Sequence, residues 1–156
     1  MTRSPLLLLP VLALVMAVSA CGGDDGAEEK QAYVDQATSV CERAQTEFTA
    51  LPQPSSAADF APFADETVSI AERAQRELAE LTPPEADRAE LDTKVLDPFS
   101  DLVGEAEAFA EQVKAAGTDQ AKLLPLLSSR PTTGDIDLEF LRSYGLETCA
   151  EAIDLS

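Results

Sequence analysis

The sequence predicts an all-α protein, a four- or five-helix bundle closed by one disulfide and preceded by a cleaved export signal. Three observations carry this. Apolar residues recur at steps of three and four through most of the chain beyond residue 30, and no useful run alternates with period two. Proline and glycine fall between those runs, where they would stop a helix. Of the three cysteines, one ends an apolar leader and the other two stand near opposite ends of the remaining chain.

The leader is MTRSPLLLLPVLALVMAVSAC. Arg3 opens it, and an apolar run of thirteen residues, 6–18, follows. A bilayer span needs about 20 such residues, so the layout is that of a cleaved signal, residues 1–20. Residues 22–29, GGDDGAEE, hold three glycines and four acids. Such a stretch buries little apolar area and reads as a flexible acidic tether, with folded structure expected over 30–156.

The first helix carries the stripe Val34, Ala37, Cys41, Ala44, Phe48 and Leu51, and PQPSS at 52–56 stops it. The second carries Phe60, Phe63, Thr67, Ile70, Ala74, Leu78 and Leu81, and ends at TPP, 82–84. A third long segment begins near Pro84, with Glu85 and Asp87 in its first turn, where negative charge suits the helix dipole. Its stripe is Leu91, Val95, Phe99, Leu102, Ala106, Phe109 and Val113. Pro98 lies inside it and implies a kink or two abutting helices; the continuous stripe favours the kink. Gly117 is the expected stop. Beyond it, TDQAKLLPLLSS reads as a short helix limited by Pro125, residues 128–134 as a loop, DIDLEFLRSYG as a helix ending at Gly145, and LETCAEAI as a last short helix.

Residues 40–51, VCERAQTEFTAL, are echoed at 70–81, IAERAQRELAEL, with Ala71 where the first copy has Cys41. Two copies fall short of a solenoid array. Within each copy, Arg43 with Glu47 and Arg73 with Glu77 have the i,i+4 spacing of helix-supporting ion pairs. The thiol has a separate explanation. Once Cys21 is assigned to the leader, Cys41 and Cys149 remain, and disulfides persist in exported proteins. A bond between them closes a long loop and needs Cα atoms about 4.4–6.8 Å apart. The second copy has no partner cysteine, so a methyl group suffices there. A reactive thiolate is disfavoured, because Glu42 flanks one cysteine and Glu147 and Glu151 surround the other.

Composition narrows the chemistry. There are 29 acidic and 11 basic residues, a formal net charge of −18, and no His or Trp. That charge repels nucleic acid and favours a cationic partner. Without imidazole, a Ser-His-Asp or Cys-His set and the usual transition-metal ligand are excluded. Asp135, Asp137 and Glu139 match the first alternating ligands of a calcium loop, but Phe140 stands where the turn needs glycine. Asp135 reads better as a helix-start acid, and no metal or cofactor is expected. Carboxylate pairs could hydrolyse glycosides only if a cleft held them about 5–10 Å apart.

The stretch Val18-Ser19-Ala20-Cys21 resembles the lipobox of bacterial lipoproteins. Together with Tyr33, Ala37 and Val40-Cys41 in an early helix, Leu81-Thr82-Pro83-Pro84 between helices and the closing Tyr144 to Ala150, it makes the chain similar to the small helical lipoproteins of high-GC Gram-positive (actinobacterial) bacteria. The resemblance implies a diacylglyceryl group on Cys21, cleavage just before it, and a disulfide-closed bundle on the outer face of the cell membrane. It implies no catalytic residue. The expected function is a non-enzymatic binding or interaction module with a cationic protein or envelope partner. The alternative is a carrier of a small apolar ligand or lipid, using a slot between helices lined by phenylalanine and alanine. A carboxylate-based hydrolase ranks third.

Overall fold

The computed structural model describes residues 25–133 and 135–154, and these are all helical or irregular, with no strand among them. The leader, Cys21 and the first residues of the tether lie outside the described residues. Helix α1, Asp25–Ala50, starts five residues before the expected Lys30, so the acidic segment 25–29 is its first turns. After a short 3-10 turn at Ala57–Asp59 comes α2, Phe60–Glu80. Helix α3, Arg88–Leu91, runs through a π-helical segment, Asp92–Leu96, into α4, Asp97–Ala116. Then follow α5, Gln120–Ser128, α6, Leu138–Tyr144, and α7, Glu147–Asp154. Counting 88–116 as one, there are six helical runs among the described residues, more than the four or five expected, because the last three short stretches each form their own. No helix among the described residues is long and apolar enough to cross a membrane.

Pro98 does not break the helix: the run 88–116 is continuous, with a π-helical turn just before the proline. It lacks an N–H, and its ring clashes with the carbonyl four residues back, that of Lys94. The chain answers with a wider turn: the Asp97 N–H donates to the Asp92 carbonyl, five residues back. The Lys94 carbonyl is taken by the Asp137 N–H from the start of α6, at 3.3 Å. Thus the proline frees an acceptor that pins a later segment. Pro125 is accommodated inside α5; it and Ala121, whose carbonyl it leaves free, are both exposed, so water can serve there.

The ion pairs differ from expectation. Arg43 bonds Glu77, and Arg73 bonds Glu47, reciprocally across α1 and α2. A step of four up one helix meets a step of four down the other, so the two echoing segments lie antiparallel. In that register each arginine faces the carboxylate of the other copy instead of its own. All four side chains are partly exposed, and such pairs near the surface are worth about 0–1 kcal/mol each.

Cys41 and Cys149 form the expected disulfide, with Cα atoms 5.0 Å apart and a sequence separation of 108. The path to it turns at Gly145. Its φ of 105° lies in the left-handed region, which favours glycine. The Leu146 N–H donates back to the Leu141 carbonyl at 2.8 Å, and the buried Leu146 side chain fixes the reversal. Helix α7 therefore folds back along α1. In the chain-entropy model a loop of this length is stabilised by about 4.7 kcal/mol when bonded.

Candidate ligand cavity

Most of the buried apolar residues fall into two groups. The larger joins α1, α2, the π segment, α6 and α7 around Tyr33, Ala37, Leu91, Leu141, Leu146 and Ala150. The smaller joins Val113 and Ala116 of α4 to Leu123 of α5, with Phe60 and Phe109 against them. Between the groups lies an apolar cavity of about 480 Å³. Native interiors hold few voids larger than a water molecule, whereas ligand sites run to about 300–1,000 Å³.

Small side chains make the space. Ala37 and Ala44 of α1, Ala64, Ala71 and Ala74 of α2, and Ala106 of α4 all face it. Each is a methyl group on an inward face where leucine would fill the volume. Five of the six phenylalanines wall the cavity, Phe140 being the exception. The π segment helps to line it: the extra residue in that turn lets the neighbours Val95 and Leu96 both face inward. The Cys41–Cys149 bond is part of the wall. Ala71, the counterpart of Cys41, lines the same cavity with no bonded partner.

One end is sealed. Tyr33 and Leu141 line the cavity from within. Outside them the Tyr33 and Tyr144 rings meet edge to face, with centroids 6.3 Å apart. The Tyr144 hydroxyl donates to Asp87 at 2.7 Å, and the Lys30 ammonium sits 4.0 Å from the Tyr144 ring centroid. Burial, then the Asp87 hydrogen bond, pushes the Tyr144 phenol well above its ordinary pKa. Burial, then the nearby Asp92 charge, raises that of Tyr33. Both rings are held neutral. A polar recess on the outside of this end gathers Lys30 and Lys94 with Asp87, Glu90, Asp137 and Glu139, two cations among four acids, with Lys94 near both Glu90 and Asp137.

The mouth is at the opposite end. Among the lining residues only Gln53, in the loop after α1, and Arg130, after α5, are exposed. The Asp59 carboxylate organises the α1–α2 loop beside it. Its oxygen accepts from the Ser55 and Ser56 N–H groups, at 3.0 and 2.7 Å, and from both hydroxyls. Those bonds, the Ser56 hydroxyl foremost, hold its pKa below the ordinary carboxylate value.

No carboxylate lines the cavity. Its ionisable lining groups are Arg130 and the neutral Tyr33, since the cysteines are bonded. Thr67 adds one polar point on the wall: its hydroxyl oxygen is buried and has no hydrogen-bond partner among the described residues. Such a surface holds apolar matter and offers no base at neutral pH. The calcium-like acids are employed otherwise. Asp137, not Asp135, caps α6, accepting from the Phe140 N–H at 2.8 Å, and it lies 3.8 Å from Lys94. No group of three or more potential ligands that could hold a metal occurs among the described residues. Sequence periodicity placed most wall residues on inward faces but missed the mouth residues Gln53 and Arg130, which belong to loops.

Compared with known proteins, the chain matches no family model and is not significantly similar to any curated protein or solved structure.

Proposed function

We propose that this chain is a membrane-anchored, extracytoplasmic binding protein whose cavity holds an apolar small molecule or lipid chain. The observation that carries this reading is the 480 Å³ void between two cores, walled by alanine and phenylalanine. The sequence alone ranks a protein-interaction module first and a carrier second; the void supports the carrier. The leader and the lipobox-like Cys21 support location at the outer membrane face, with Cys21 lipidated. The likeness to actinobacterial lipoproteins supports the same place. The acidic surface supports a second role, docking of a cationic protein or envelope polymer on the exterior.

The test is a titration of the full chain with a neutral fluorescent hydrocarbon amine, N-phenylnaphthylamine. Saturable binding of one molecule, abolished by Ala71→Phe or Ala106→Phe, is the expected result. Absence of saturable binding to a folded protein would overturn the reading. For the exterior role, an envelope pull-down should recover a partner at low salt and lose it at high salt.

A further inference from the structure

We propose that the cavity selects a single-chain lipid with a monoanionic head, such as a long-chain fatty acid, seated with its head at Arg130 and its tail toward Tyr33. This rests on the reading of the cavity as a ligand site and adds the class of ligand.

The shape calls for a chain. Along α2 the wall extends from Phe60 to Leu78, which at a helical rise of 1.5 Å per residue is about 27 Å. A dry apolar cavity of about 150 Å³ takes one benzene, so by proportion this one takes on the order of eighteen carbon atoms. An elongated space of that capacity suits one acyl chain and is too small for two.

The charge calls for an anion. Arg130 is the cavity's one cationic lining residue, and no acid shares the lining. Seven of the other nine lysines and arginines in the described residues bond carboxylates. Arg130 makes no ion pair or hydrogen bond with any described residue, despite a chain with 29 acids. A guanidinium at the rim of an apolar slot matches a carboxylate in geometry and charge. The net charge of −18 repels anions in proportion to their charge, which favours a monoanionic head over a dianionic one. Screening over about 8–10 Å leaves the local contact with Arg130 dominant at the mouth.

The experiment uses the mature chain, residues 21–156 with Cys21→Ala, exported behind an ordinary cleavable signal and purified without detergent, so that neither an acyl anchor nor the apolar leader competes. N-phenylnaphthylamine reports occupancy, and hexadecanoic acid and its methyl ester compete with it. The acid should displace the reporter at roughly tenfold lower concentration than the ester, consistent with one charge-assisted contact. In Arg130→Gln, with each competitor measured against that variant's own affinity for the reporter, the acid and the ester should fall within about twofold of each other. The preference should also shrink in high salt. Equal competition by acid and ester in the unaltered site, or a preference that survives Arg130→Gln, would overturn the ligand class and leave the cavity reading standing. Failure of the neutral reporter to bind would remove both.

Discussion

At the Tyr33 end of the bundle, Leu91, Leu141 and Ala150 are fully enclosed, and a disulfide ties α1 to α7. At the Phe60 end, the same long helices present alanines and half-buried phenylalanines to a void. The helices do not differ in kind between the two ends; what differs is the chain that returns to cover them. Helices α6 and α7 bring Leu141, Leu146 and Cys149 into one end, while α5 contributes Leu123 and Leu126 to the other. Cys41 and Ala71 both line the cavity, but only Cys41 is bonded to a returning helix.

The largest expected effect breaks the sealed end. Cys41→Ala with Cys149→Ala, or reduction, should lower stability by up to about 4.7 kcal/mol, read by urea unfolding with and without reductant. Next is a pair of opposite sign. Leu91→Ala should cost about 2–5 kcal/mol, because it empties a filled site away from the cavity. Ala71→Leu adds bulk to the hollow end and should leave the unliganded protein as stable or more so, while weakening uptake of the apolar reporter. A loss of several kcal/mol at Ala71→Leu would mean that the space there is already occupied by side chains.

Thr67→Val should raise the stability of the free protein by about 1 kcal/mol, since it removes an unpaired buried hydroxyl without changing shape. Thermal denaturation should show a rise of a few degrees. Tyr144 gives an alkaline signature. Its folded pKa lies above the ordinary value of 10.0, so its contribution is fully present below pH 10 and is lost as pH rises beyond it. In Tyr144→Phe that extra alkaline loss should disappear from the stability profile. Asp59 acts with the opposite sign and least force. Its folded pKa is depressed below 3.8, so its contribution is present above that pH and fades as the solution is acidified through the folded value. Asp59→Asn should flatten only this acid limb.

Much of the helical fold was readable from local spacing. Steps of three and four located the long segments, and PQPSS, TPP, Gly117 and Gly145 marked stops because proline and glycine act through their own residue geometry. The disulfide followed from cysteine arithmetic and the expectation of export. The crossed pairs Arg43–Glu77 and Arg73–Glu47 did not follow, because they depend on the antiparallel register of two helices. The π turn depends on Asp137 arriving to take the carbonyl freed by Pro98, a contact between distant segments. Alanines at inward positions were visible as a possible slot. That Ala44, Ala71 and Ala106 coincide around one void is a property of three helices together.

The most direct test of the two-core description is diffraction from crystals held under xenon pressure. The account predicts a xenon peak among Phe48, Phe63, Ala71 and Ala106, and none around Leu91 and Ala150. Side chains packed across that space, with no xenon density, would contradict it.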